Sequence, residues 1–156
     1  MAPFEFEAVR TTLDDPKHFA DFVNSPYYTD AVYDRFSEAE HRRRWELTRA
    51  KMARLGLDGL IVCGGPSHWS YGGGVFWLTN HREWHAMCTY VFVPRTGEPT
   101  LLYGMGGTHA EATRRAVAVR DVRPASRGQF AEVLAARIKE LGLECGRIGI
   151  TVADPR

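Results

Sequence analysis

The hydrophobic positions of this chain recur with two different periods, which predict helices and strands in turn. After Ser37, the side chains that share the spacing of one helix face are Trp45, Thr48, Met52 and Leu55. Residues 58–63 then form a short apolar run with little polar alternation. Such a run is typical of a strand that is covered by helices on both of its faces.

Capping residues mark the two ends of the first predicted helix. Ser37 and Glu40 match a capping box, in which the Ser37 hydroxyl accepts a hydrogen bond from the amide three residues on and Glu40 reaches back. Gly56 stands where the chain must turn left-handed to leave the helix. The sequence therefore predicts a capped helix, a tight glycine exit and a strand in direct succession.

A second unit of helix, glycine and strand lies near the end of the chain. Ser126 and Gln129 match a second capping box. The apolar face that follows consists of Phe130, Val133, Leu134, Ile138 and Leu141. Gly142 ends this helix, and residues 147–152 are predicted as a strand. Leucines flank both exit glycines, which predicts the same exit geometry, with the second leucine packed back on the helix.

The segment between these two units predicts a hairpin, a short helix and another strand. In chain order we expect a strand over 87–93, a turn over 94–99, a strand over 100–103, a helix over about 108–115 and a strand over 117–122. The resulting order of elements predicts an α/β fold of three layers, α/β/α, in which a mixed sheet has helices on both faces.

Residues 1–36 are poorly periodic but contain many aromatic side chains. Disordered segments are poor in aromatic residues, so we expect an arm that packs on its own domain or on another subunit. The predicted organisation is an N-terminal arm over residues 1–36, followed by one α/β domain over residues 37–156.

Length and composition are those of a globular domain. The chain has 156 residues, of which 44% are hydrophobic and 25% charged, with a formal net charge of +1. This balance argues against nucleic acid or an anionic membrane as a partner. The densest basic run, residues 42–44, lies in the first predicted helix among glutamates, so we interpret it as a solvated helix face.

The cysteines and the first residues bear on the cellular compartment. Cys63, Cys88 and Cys145 are odd in number and far apart, which favours reduced thiols in a cytoplasmic protein. Each lies in or beside an apolar segment, so we expect buried packing. No apolar run is long enough to span a bilayer, and residues 1–6 lack the apolar core of a secretory signal.

Two histidines four residues apart, His81 and His85, form a candidate zinc site. Glu83 lies midway between them, which fits neither zinc-protease template, and no third ligand is evident beside them. A polar loop or the rim of a pocket is therefore the favoured interpretation, with zinc binding as a weaker alternative.

Glycine runs at 64–65, 72–74 and 104–107 raise the possibility of a phosphate cradle. None has the spacing of a dinucleotide-binding loop or a P-loop, so tight turns and close backbone approach are favoured. The serines on either side of His68 lack the strand-to-helix elbow that exposes a nucleophile. Cys63, at the end of a buried strand, is interpreted as a structural thiol.

Several motifs along residues 36–152 occur in a characteristic order. A helix that ends in Leu-Gly-Leu is followed by Asp-Gly-Leu-Ile-Val and a proline-containing loop. The further matching positions are Pro66, Tyr71, Gly74, the turn at 97–99 and the strand at 147–150. This order resembles the N-terminal domain of the creatinase/prolidase family, the M24 metallopeptidases and their relatives. His68 stands where the family usually has Asn, and Gly72-Gly73 replaces Leu-Thr, which leaves the substrate class open.

The resemblance implies a ribonuclease H-like motif in this chain and a separate C-terminal domain of the pita-bread fold. In the family that second domain holds two divalent ions (Mn, Co or Zn) through Asp, His and Glu. It would begin where this chain stops, at Arg156, so we expect an excised domain with no catalytic residue and no metal of its own. The parent would be a metal-dependent hydrolase of a small peptide or amide, either an Xaa-Pro peptidase or a creatinase-like C–N hydrolase.

The resemblance also implies a role for this domain in dimerisation and at the rim of the substrate pocket. The candidate rim residues are His68, Trp69, Tyr71, Trp77, His81, Arg82 and His85. Histidine and arginine at such positions would bind a carboxylate or orient a carbonyl. The alternative function is a stand-alone α/β module that binds a small ligand or a nucleotide through its glycine-rich loops.

Overall fold

The computed structural model of the protein describes residues 36–64, 73–82, 89–105 and 107–151. These residues belong to one compact unit that starts at Phe36. The predicted arm therefore lies outside the described residues, except for Phe36 itself.

Five strands and four helices make up the described part of the chain. In order they are α1 (Glu38–Arg54), β1 (Gly59–Cys63), α2 (Gly74–Thr79), β2 (Thr89–Pro94), β3 (Thr100–Tyr103), α3 (Gly107–Ala116), β4 (Asp121–Pro124), α4 (Phe130–Glu140) and β5 (Ile148–Ile150). The predicted hairpin and the short helix after it are confirmed, with bounds that differ by one or two residues.

The strands form one mixed sheet in the order β4-β3-β2-β1-β5. β2 pairs antiparallel with both of its neighbours, whereas β4 pairs parallel with β3 and β5 parallel with β1. Four strands therefore run in one direction and β2 alone runs in the other. As a result, the carboxyl ends of β1, β3, β4 and β5 meet the start of β2 at one edge of the sheet, here called the carboxyl edge.

Helices cover both faces of this sheet, as the sequence predicts. On one face, residues of α1 and α2 pack against alternate residues of the central strands; this layer includes Met52, Val62, Val75, Leu78, Val91 and Leu101. On the other face, the ring of Phe130 in α4 lies 4.9 Å from that of Tyr90. Phe92 and Leu102, which share that second face, are fully buried.

The two helix exits have the same geometry, as predicted. Gly56 and Gly142 both have a φ of 64°, in the left-handed region that favours glycine. The amide of Leu57 donates to the carbonyl of Met52 at 3.0 Å, and that of Leu143 donates to Ile138 at 3.0 Å. These six-to-one hydrogen bonds satisfy helix carbonyls that would otherwise lack a donor.

The two predicted capping boxes differ in outcome. The Ser37 hydroxyl does accept from the Glu40 amide at 3.2 Å, although the Glu40 carboxylate accepts from arginines instead of reaching back. The second capping box is wrong: residues 126–128 form a 3-10 turn, and α4 begins at Phe130 with no side-chain cap. Gly128 has a φ of 83°, which interrupts the helical backbone.

The last part of the predicted strand over 117–122 pairs with β3, but its first part does not. The observed strand β4 starts at Asp121. Val117 and Val119 pack against the apolar core instead, and the amide of Ala118 donates to the Thr79 carbonyl at 2.8 Å. The alternating pattern at 117–120 therefore arises from packing beneath α2 and not from strand pairing.

A network of charged side chains fastens α4 to β4. Arg123 donates to Asp121 at 2.9 Å and makes two hydrogen bonds, at 2.8 and 2.6 Å, with Glu140. Arg137 donates to the Thr100 hydroxyl at 2.9 Å and lies 3.2 Å from Asp121. Hydrogen bonding by Arg123 lowers the pKa of Glu140 to about 2. The sheet edge at β4 is thus covered by paired charges.

The basic run at residues 42–44 is not uniformly solvated, contrary to the prediction. Arg42 is exposed, but only 7% of the Arg44 side chain is accessible. Arg44 donates to Glu40 at 2.8 Å and to the carbonyl of Trp77 at 2.9 Å, and it lies over the Phe36 ring at 3.9 Å. Carbonyls at the end of a short helix lack intrahelical donors, so Arg44 supplies one to α2.

No helix in the described ranges is long and apolar enough to cross a membrane.

Candidate functional site

The carboxyl edge of the sheet is the candidate site, because open α/β sheets bind ligands where their strands end. β1 ends there at Cys63, which pairs with Tyr90, and β3 ends at Tyr103, which pairs with Thr89. Directly opposed residues project to the same face, so Thr89 and Tyr103 lie side by side.

Three of the predicted rim residues are described by the structure, and they do not come together in one place. Trp77, His81 and Arg82 lie in or just after α2. The other four candidates, His68, Trp69, Tyr71 and His85, lie outside the described residues. The described chain reaches the carboxyl edge at Gly64 and re-enters the sheet there at Thr89.

Trp77 lies away from His81, in an apolar groove between α1 and β1. This groove has a volume of about 260 Å³ and includes Leu47, Leu55, Leu57 and Leu60. Leu60 lies near the start of β1 and Leu57 precedes the strand, whereas the candidate edge is at the carboxyl end of β1. Trp77 is 38% exposed and lines this groove.

His81 is buried at the end of β3. Its ring meets that of Tyr103 edge to face at a centroid distance of 5.1 Å, and its backbone amide donates to the Thr79 hydroxyl at 3.0 Å. Its Nε2 atom is buried, and no described residue hydrogen-bonds it. Burial lowers the pKa of His81 to about 4. The imidazole is therefore neutral near pH 7, and it offers a hydrogen bond but no positive charge.

Asn80 is a second buried polar residue at this position, and sequence reasoning missed it. It is 2% exposed, and within the part of the chain that the structure describes neither its amide nitrogen nor its amide oxygen has a partner. Its φ of 64° places it in the left-handed region, which asparagine tolerates better than most residues. An asparagine directly after an apolar helical turn was the available signal, since it commonly ends helices in this conformation.

Unsatisfied buried polar atoms carry a cost of about 1–3 kcal/mol each, so native proteins contain few of them. Asn80 and His81 present three such atoms on two consecutive residues. Together they offer one amide donor, one amide acceptor and one imidazole nitrogen. This set suits an uncharged polar group, such as an amide, better than a carboxylate or a phosphate.

Arg82 adds a cation beside this pair. Its guanidinium carbon lies 5.6 Å from the centre of the Phe76 ring, so part of its side chain packs against α2. Cation–π contacts of this kind stabilise an orientation of the guanidinium.

The described residues offer little support for a metal site or a reactive thiol. Those ranges contain no group of three His, Cys, Asp or Glu side chains that could hold a metal ion. The zinc hypothesis also needs His85, which lies outside them. Cys63 is half-buried, and its amide donates to the Thr151 hydroxyl at 3.0 Å. Cys145 is exposed, so the prediction of buried packing is wrong for it, because it lies in the turn that follows α4.

One of the glycine runs has a packing role, as favoured from the sequence. A Cβ atom on Gly74 would lie 2.8 Å from a methyl group of Val62. Gly74 therefore allows the start of α2 to approach β1 closely. A phosphate is not needed to explain a glycine at this position.

No protein-family model and no curated protein matches the chain. Among solved structures, it is similar to the dipeptidase PepE from Mycobacterium ulcerans, with 23% sequence identity and a TM-score of 0.55. That likeness covers 78% of this chain but 31% of the dipeptidase chain, so this chain corresponds to about a third of the dipeptidase. A second structure, the Xaa-Pro aminopeptidase (aminopeptidase P) from Streptococcus thermophilus, has 19% identity and a TM-score of 0.44, and the likeness covers 72% of this chain and 92% of that one.

The likeness to PepE confirms the predicted fold class, a mixed sheet with helices on both faces. It confirms the resemblance drawn from the sequence motifs at the level of the fold.

Proposed function

We propose that this chain is the N-terminal, non-catalytic domain of an M24-type metallohydrolase, either an Xaa-Pro peptidase or a creatinase-like C–N hydrolase. The observation that carries the proposal is the fold shared with part of a dipeptidase chain. A match to 31% of that chain suits one domain of a longer enzyme. The motifs from the first helix to the last strand support the same assignment.

In this proposal the carboxyl edge of the sheet forms part of the rim of the substrate pocket. The stretches that contain His68 and His85 are joined to this edge through Gly64 and Thr89. The neutral imidazole of His81 and the amide of Asn80 would hydrogen-bond the uncharged amide of a small peptide. Any recognition of a substrate carboxylate would then fall to Arg82.

A separate C-terminal domain would hold two divalent metal ions in the parent enzyme. Such ions activate water and polarise the scissile carbonyl. The role left to this chain is to shape the pocket and to contribute to a homodimer. We propose that the parent acts in the cytoplasm, because an odd number of widely spaced cysteines favours reduced thiols.

The purified chain is expected to show no hydrolysis of an Xaa-Pro dipeptide, with or without added Mn²⁺ or Co²⁺. The reason is that the described residues supply no group of metal ligands. Release of free proline, followed over hours at pH 7 to 8, provides the measurement.

A commercial Xaa-Pro dipeptidase, assayed in the same buffer, controls for substrate and metal. Hydrolysis by this chain that increases with added metal and is lost with a chelator would contradict the proposal, since the chain itself would then hold a catalytic metal.

A module that binds a small ligand is the second candidate, and the unpartnered atoms of Asn80 and His81 are the observation that favours it. A thermal-shift screen separates the two functions. A large rise in melting temperature with a nucleotide favours the second.

A further inference from the structure

The backbone on both sides of Asn80 is fastened by hydrogen bonds to other parts of the chain. The backbone amide of Asn80 donates to the Phe76 carbonyl at 2.8 Å, and the Thr79 carbonyl accepts from the amide of Ala118 at 2.8 Å. The backbone amide of His81 donates to the Thr79 hydroxyl at 3.0 Å. These bonds fix the left-handed turn at Asn80, so its buried side chain does not belong to a loose loop.

Side chains of α1 complete this support. The Nε1 atom of Trp45 donates to the Leu78 carbonyl at 2.9 Å, and Arg44 donates to the Trp77 carbonyl at 2.9 Å. Each of the last four carbonyls of α2 thereby has a donor, although the last carbonyls of a helix lack donors within the helix. Asn80 is therefore preorganised, and preorganisation favours binding because little order remains to be imposed when a ligand arrives.

The unpartnered atoms of Asn80 define the group that fits them. Its Nδ2 atom is a donor and its Oδ1 atom is an acceptor, and neither has a partner among the described residues. A ligand with a C=O next to an N–H satisfies both atoms at once, through two parallel hydrogen bonds. The neutral imidazole of His81 offers a third hydrogen bond through Nε2.

We infer that Asn80 and His81 bind a primary or secondary amide of the substrate, and that the substrate is therefore not an Xaa-Pro dipeptide. A peptide bond before proline has no N–H. Its carbonyl would accept from Nδ2 of Asn80 but would leave Oδ1 buried without a donor, which is costly. The other polar groups of such a dipeptide are an ammonium and a carboxylate, and burying a charge beside two neutral side chains is more costly still.

The requirement for an N–H rests on the proposed function and narrows its substrate class. Peptides longer than two residues and non-peptide amides carry such a group. Asn80 and His81 are almost closed off from solvent in the ligand-free chain, so a ligand reaches them through local opening. The unsatisfied atoms lower the cost of opening, because opening restores their hydrogen bonds to water. The closed complex is then stable only when the ligand satisfies the same atoms.

Three small amides that differ only in the methyl groups on nitrogen test this requirement: acetamide, N-methylacetamide and N,N-dimethylacetamide. Each is titrated into the purified, isotope-labelled chain, and the side-chain amide resonances of Asn80 are followed by NMR. These resonances should shift on saturable binding of the first two compounds. The Kd for either of them should be at least about tenfold lower than for N,N-dimethylacetamide, which leaves Oδ1 of Asn80 unpaired.

Asn80→Gly removes the carboxamide and keeps the left-handed turn, which glycine adopts readily. It should retain the fold by circular dichroism and lose the preference among the three amides. Asn80→Asp keeps the shape of the side chain but lacks the donor, so it should lose the binding as well. Arg42→Met is the control at an exposed position of α1, where 64% of the side chain is accessible, and it should keep the tenfold preference.

Equal binding of the three amides by the wild type, or saturable binding of none, would overturn the amide site and leave the metallohydrolase assignment to its own activity assay. A preference that persists in both Asn80 variants would also overturn it, since the amide would then bind elsewhere. The expected preference, found in a chain whose native protein shows no metal-dependent hydrolysis, would support the amide site and contradict the proposed function.

Discussion

Acidification from pH 7 to pH 4 is expected to lower the free energy of unfolding by about 3 kcal/mol through the titration of His81 alone. Burial lowers the pKa of His81 from 6.5 to about 4 in the folded chain. Between these two values the unfolded chain binds a proton that the folded chain does not. Stability is therefore complete above pH 6.5 and falls with pH down to about 4, below which the loss from this group levels off.

The comparison of the wild type with His81→Phe isolates this effect. Phenylalanine keeps an aromatic ring against Tyr103 but does not titrate. Burial also lowers the pKa of His41, but that residue is present in both proteins and its contribution cancels. Urea unfolding at a series of pH values gives the free energy of unfolding of both proteins. Between pH 7 and pH 4, the wild type should lose about 3 kcal/mol more than His81→Phe. Equal pH dependence in the two proteins would show that His81 is accessible and charged in the folded state.

Replacement of Arg44 by methionine is expected to lower the free energy of unfolding by about 2–3 kcal/mol, since hydrogen bonds to charged groups contribute about 1.5–3 kcal/mol. Arg44 donates to the Trp77 carbonyl at 2.9 Å, and its loss leaves the end of α2 without that donor. Methionine retains much of the apolar stem, so the loss reports mainly on the guanidinium. Glu40 stays paired with Arg43, so no isolated charge remains.

Arg42→Met is the matched control on the same helix. The Arg42 side chain is 64% exposed and pairs with Glu38 on the surface, a kind of contact that contributes at most about 1 kcal/mol. Urea unfolding of the two variants should therefore separate them clearly. Equal losses would mean that Arg44 is solvated like its neighbour, as the basic run alone suggested.

The fold was largely predictable because its main signals are local. A serine cap defines the start of α1, and a left-handed glycine and a leucine that packs back define its exit, each within one helical turn of the end that it marks. The apolar run of β1 and the turn at Gly97 likewise determine their own structure. The prediction was wrong where packing against a distant element decides the structure. Val117 and Val119 alternate like strand residues, but they pack beneath α2.

The site was less predictable, because its properties depend on partners far away in sequence. Outside the site, Arg44 is buried for the same kind of reason, because it donates to the carbonyl of Trp77, 33 residues further along the chain. His81 is neutral because Tyr103 and the end of β3 enclose it. Its spacing from His85 had suggested a ligand pair, and spacing alone contains no information on burial. In the sequence Asn80 resembles an ordinary loop residue, whereas in the structure its amide is buried and has no partner among the described residues.

In the proposed function, this fold serves a longer hydrolase whose metal centre lies in another domain. The most direct measurement is the intact mass and activity of the native protein, captured from its source with an antibody raised against this chain. We expect a product much heavier than the 156-residue chain, with metal-dependent hydrolysis of a small peptide or amide that a chelator abolishes. A native product with the mass of this chain and no such activity would contradict it.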